Sequence, residues 1–70
     1  MMPLPLSQGG EEVIIKRVSG SPDVRRHLED MGFVVGGNVT VVSEISGNVI
    51  VNVKNVRVAL DKELARHIMV

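Results

Sequence analysis

Three observations predict a mainly β fold for residues 1–70: a small barrel of about five strands with one inserted α-helix and a short C-terminal helical turn. Val and Ile recur in short runs of strand length, punctuated by Gly, Asn and Ser. One segment alone, residues 21–31, carries both helix caps and a helical apolar stripe. And several short strands joined by hairpins leave edges that invite aggregation unless the sheet curls on itself, which at this length favours a closed barrel.

The elements follow in order. Residues 1–10 read as an extended lead-in, because Pro3 and Pro5 oppose helix and Gly9-Gly10 punctuate the approach to the first strand. Glu12–Val18 is the first strand; its core Val13-Ile14-Ile15 is apolar on both faces, as expected where a strand is covered on both sides or bends across a barrel. The helix spans Ser21–Met31. Ser21 is the N-cap, Pro22 suits the first helical position and Asp23 opposes the positive end of the helix dipole. Val24, Leu28 and Met31 share one face, and Gly32 supplies the left-handed residue that ends the helix.

Beyond it the pattern turns to β. Val39–Ser43 is a strand, a Ser-Gly-Asn turn lies within 45–48, and Asn48–Val53 alternates with Val49, Val51 and Val53 on one face. Lys54-Asn55 is a tight reversal, with Asn tolerating positive φ. Val56–Leu60 follows with Val56, Val58 and Leu60 aligned; Asp61 caps a helical turn over 62–66, and Ile68–Val70 closes the chain as a strand. At this length the natural form of such a barrel is SH3-like.

Composition narrows the function. The chain is 44% hydrophobic, has no cysteine and has one aromatic residue, Phe33, so disulfides, thiolate metal sites and base- or sugar-stacking platforms are out of reach. Eight basic side chains balance eight acidic ones. Nucleic-acid binders draw most of their affinity from a basic surplus, which is missing here, so the reading is a protein that uses a partner surface. No stretch approaches the roughly 20 apolar residues that span a bilayer. The opening Met1–Leu6 lacks the basic start and apolar run of a secretory signal, so a cytoplasmic location is expected.

Chemistry-bearing residues are sparse, and no enzymatic activity is expected. A barrel this small is filled by its own side chains, with no room for a reactive pocket. Asp23 and His27 fall one helical turn apart and His67 has Asp61 and Glu63 nearby, which makes His27, Asp23 and His67 the candidate metal contacts, although a solvated or structural role is the favoured reading of each histidine. Gly32, Gly36 and Gly37 match no phosphate-binding loop and read as turn glycines. Met31 and Phe33 are core filling at the helix end, with part of Phe33 showing, or else a shallow apolar surface for a partner.

Three segments together resemble the FeoA family. Residues 28–36, Leu-Glu-Asp-Met-Gly-Phe-Val-Val-Gly, are similar to that family's helix-end signature; residues 56–70 are similar to its ending of Ala-Leu, a polar turn carrying Ala, and a closing Ile-x-Val. Met2-Pro3-Leu4, with Gly10-Glu11 ahead of the first strand, matches its opening. Val35 stands where many members carry Pro and Asn55 where many carry Gly. The resemblance implies a single FeoA-type SH3-like domain over 1–70. It also implies a non-enzymatic cytosolic accessory role in bacterial ferrous iron uptake, through contact with the FeoB membrane transporter. The candidate contact residues for such a role are Leu28, Met31 and Phe33 at the helix end, with the turn at Gly36-Gly37. Kinship with the C-terminal domains of iron-dependent repressors implies the alternative, a sensor or carrier of Fe²⁺ or another divalent metal. No tightly held cofactor is expected; weak self-association through apolar strand edges stays open.

Overall fold

A computed structural model describes all residues 1–70. Six strands and two helices follow in the order β1 (Glu12–Ile14), β2 (Arg17–Val18), α1 (Pro22–Asp30), β3 (Asn38–Ile45), β4 (Asn48–Val53), β5 (Val56–Asp61), α2 (Lys62–Ala65) and β6 (Ile68–Met69). The strands form an antiparallel four-stranded sheet ordered β1-β3-β4-β5 and a two-stranded ribbon of β2 and β6.

The mainly β architecture follows from the alternation that the sequence displays. Val49, Val51 and Val53 on β4 are all buried, and they meet Val39 and Val41 on β3 and the Leu60 row on β5. Both hairpin turns have two residues, Ser46-Gly47 and Lys54-Asn55, with positive φ at every position. That conformation matches the right-handed twist of the strands it joins. A bulge at Val42 separates the Val41↔Val51 and Ser43↔Ile50 pairs. The extra residue bends β3 and turns its second half away from the core.

The expected strand over 12–18 divides in two. Ile15 is fully buried while Ile14 is 55% exposed, and Ile15 bonds to the loop after α1, through its N–H to the Gly37 carbonyl and its carbonyl to the Gly36 N–H, both at 2.8 Å. Lys16 then donates to the Met69 carbonyl. The chain bends at Ile15 and hands its pairing from β3 to β6. The hydrogen-bond ladder accordingly forms no closed ring: α2 diverts the chain after β5, whose only strand neighbour is β4. The two sheets are held together by a shared core of 13 buried apolar residues, of which all but Ala65 contribute about 1.5–3 kcal/mol each through burial.

The lead-in is more ordered than its prolines imply. Leu4–Leu6 is a 3-10 turn starting at the two prolines, where the missing N–H groups would have no intrahelical partner anyway. Leu4 is fully buried, and Met2 and Val70 exchange two backbone hydrogen bonds of 2.8 Å, so both chain ends are tied into the fold.

Candidate functional site

The segment that follows α1 is built by local rules. The Ser21 hydroxyl accepts from the Val24 N–H at 3.3 Å and Pro22 starts the helix, as the sequence predicts. Leu28 is the one fully buried residue of α1, flanked by half-buried Val24 and Met31. At the other end Gly32 adopts φ +104, and the N–H groups of Met31, Gly32 and Phe33 close on the carbonyls of residues 27–29. The reversal turns the chain back on the helix end, and Phe33 enters the core.

That geometry corrects two of the expected contact residues. Leu28 and Phe33 both have 0% exposure, and Phe33 is the largest fully buried side chain of the protein. Neither can meet a partner without unfolding. The cause is packing: Phe33, the single aromatic side chain, joins the apolar core cluster with Leu4, Leu28 and the β-strand valines, and no part of it shows.

What remains at the surface is Met31, half-buried, and the turn at Gly36-Gly37. Gly36 holds φ +88, which favours glycine, and a Cβ on Gly37 would lie 3.1 Å from the Val34 carbonyl oxygen. The turn is pinned to Ile15 by the two hydrogen bonds described above, which sets Val35 on a segment adjacent to Ile14. These side chains are 66% and 55% exposed. Ile14 and Val35 were not singled out by sequence reasoning. Val35 carries a signal, an apolar residue before a turn glycine, whereas Ile14 sits in a run whose pattern is apolar on both faces, and only the bend at Ile15 turns it outward.

A second surface is polar. Glu12, Thr40, Asn52 and Arg57 form a cross-strand row over all four strands of the larger sheet, and Asn38, Lys54 and Asn55 border it to make a shallow concavity. Arg57 Nε approaches Asn52 Oδ1 at 3.5 Å. Cross-strand register creates this row, so it has no local sequence signature.

The histidines are dispersed. His27 lies on the exposed face of α1 with Asp23. His67 lies across from Ser19, with Nδ1 3.4 Å from the hydroxyl oxygen, in a depression shared with Pro3, Glu63 and Arg66. Glu63 already accepts from Arg66 Nη1 at 3.0 Å, and Asp61 Oδ1 caps α2 by accepting from the Leu64 N–H at 3.0 Å. No three His, Asp or Glu side chains come together. No helix is long and apolar enough to cross a membrane.

Comparison with known proteins gives this geometry a context. The FeoA domain family model matches residues 2–70. A protein of Methanocaldococcus jannaschii, provisionally named Fe(2+) transport protein A, is 34% identical over 70 residues, covering 100% of this chain and 85% of the relative. Among solved structures, a crystal structure of the iron uptake regulatory protein FeoA superposes with a TM-score of 0.87 at 29% identity, over 96% of this chain and 91% of that one. The solution structure of iron(II) transport protein A from Clostridium thermocellum gives 0.89 at 27%, over 97% of this chain and 43% of that one. Two more distant structures share the fold. A zinc complex of Stenotrophomonas maltophilia FeoA, described as an SH3 domain protein, gives 0.70 at 23% over 83% of this chain and 75% of that one. A manganese-dependent transcriptional repressor gives 0.83 at 22% over 94% of this chain and 38% of that one. The architecture is thus SH3-like, and with a match running from Met2 to Val70 the chain belongs to the FeoA family.

Proposed function

We propose that the chain is a non-enzymatic accessory protein of ferrous iron uptake, acting in the cytoplasm by docking on the cytosolic part of the FeoB transporter. Membership of a family of Fe(2+) transport proteins supports the process. The mode of action rests on one observation: the interior is filled by 13 apolar residues and holds no buried polar or charged side chain, while exposed apolar groups project beside the turn at Gly36. What this molecule offers is surface. Ile14 and Val35 are both exposed and lie on segments that the Ile15 hydrogen bonds tie together, and apolar groups on a backbone fixed in this way lose little entropy on binding.

Titration of isotopically labelled protein with a soluble FeoB domain, and separately with the intact transporter, tests the reading. Amide signals of Met31, Val35, Gly36 and Gly37 shift on binding, and Val35→Glu weakens the complex about tenfold or more without unfolding the protein, because an exposed substitution of this kind changes stability by only about 0.5 kcal/mol. Absence of binding to either partner at about 1 mM, an affinity of barely 4 kcal/mol, overturns it.

A further inference from the structure

We infer that the free edge of β5 pairs with the same edge of a second copy, giving a two-fold symmetric dimer in which the larger sheet runs on through both molecules. The hairpin turn settles which groups are free. A two-residue turn at Lys54-Asn55 makes Val53↔Val56 a hydrogen-bonded pair, and pairs alternate from there, so Val56, Val58 and Leu60 bond to β4. The N–H and C=O groups of Arg57 and Ala59 therefore point away from the sheet, and β5 has no strand on that side. Both residues are exposed, as is Asp61.

The sequence of this edge is self-complementary. In an antiparallel pair of two β5 strands, the register that centres Ala59 on Ala59 of the second copy sets Arg57 opposite Asp61, and by symmetry Asp61 opposite Arg57. All three outward-pointing positions are then matched, with opposite charges at both ends and the smallest side chain at the axis. Slipping by one residue sets outward groups against groups already bonded to β4. Centring on Val58 instead places Arg57 against Ala59 and loses both charge pairs. In the Ala59-centred register Val58, half-buried in one molecule, is carried against the Leu60 position of the other, which extends the core face across the junction.

The opposite edge of the sheet behaves differently. β1 has three residues and carries a single charged one, Glu12, which an antiparallel pair centred on Val13 sets opposite Ile14, so two copies of that edge gain no charge pair. Charges on sheet edges ordinarily prevent pairing; on β5 their spacing permits it.

Sedimentation velocity across a concentration series tests the inference on the whole chain. The expected result is reversible doubling of the 7.6 kDa mass, weakened by added salt because the Arg57–Asp61 pairs are exposed. Arg57→Glu turns both pairs repulsive and lowers association about tenfold or more, as does Asp61→Lys. Mixing the two variants restores the dimer, since each then meets an opposite charge at both ends. Slowed hydrogen exchange at the Arg57 and Ala59 amides with rising wild-type concentration provides a readout independent of any variant's folding. A monomer at about 1 mM, dimerisation indifferent to both substitutions, or exchange at these amides that does not change with concentration overturns the inference. FeoB takes no part in the experiment, so its outcome is independent of the docking reading.

Discussion

Replacing Phe33 with alanine separates a core role from a contact role for the protein's single aromatic residue. Phe33 is fully buried, and truncating a buried Phe to Ala costs about 3–5 kcal/mol through lost transfer energy and the cavity left behind. A domain of 70 residues has only about 3.5–10.5 kcal/mol of stability in total, at about 0.05–0.15 kcal/mol per residue. The substitution therefore removes between a third and all of it. The chain has no Trp and no Tyr, so far-UV circular dichroism in urea is the suitable assay. With a slope of about 1 kcal/mol per molar urea, the midpoint falls by about 3 M or more, or the variant is unfolded in buffer. Phe33→Leu keeps the site filled and costs about 1–2 kcal/mol. A loss below about 1 kcal/mol for Phe33→Ala would refute the packing argument and return Phe33 to the surface, because that range belongs to exposed substitutions.

Three further outcomes follow from named contacts. Gly20→Ala is more destabilising than Gly36→Ala: both glycines hold positive φ, but a Cβ at Gly20 would meet Val24 Cγ1 at 3.0 Å and His67 Nδ1 at 3.2 Å whereas one at Gly36 meets nothing within 4 Å, and thermal melts of the pair read the difference directly. Asp61→Ala removes the cap on Leu64 and costs about 1 kcal/mol, a fall of about 4–8 °C in Tm for a domain of this size, whereas Asp61→Asn retains most of the stability. Leu4→Ala costs about 2–5 kcal/mol in chemical denaturation, as expected of a core residue and unlike the near-zero effect of a change in a loose lead-in.

The sequence by itself determined the elements with strong local signals, though not the 3-10 turn at Leu4–Leu6. The helix was legible in Ser21, Pro22 and Gly32 because caps act within one turn of the residues they serve. The β4 strand matched the expectation from Asn48 to Val53, since strict alternation is a property of one strand with one buried face. The family signatures were legible for the same reason, being short runs such as residues 28–36.

Tertiary structure alone decided matters that join distant parts of the chain. Whether Ile14 or Ile15 enters the core depends on the loop at Gly36-Gly37 and on Met69, which lie far along the sequence. Leu4 becomes a core residue because Met2 pairs with Val70 at the opposite chain end. Phe33 is ambiguous from its neighbours alone, and the packing of the core buries it. The free edge of β5 and its self-complementary charges exist only once the strand order is known. Local propensity acts over one turn or one strand, whereas burial and register are set by which segments meet, and that follows from packing the whole molecule around a single apolar core.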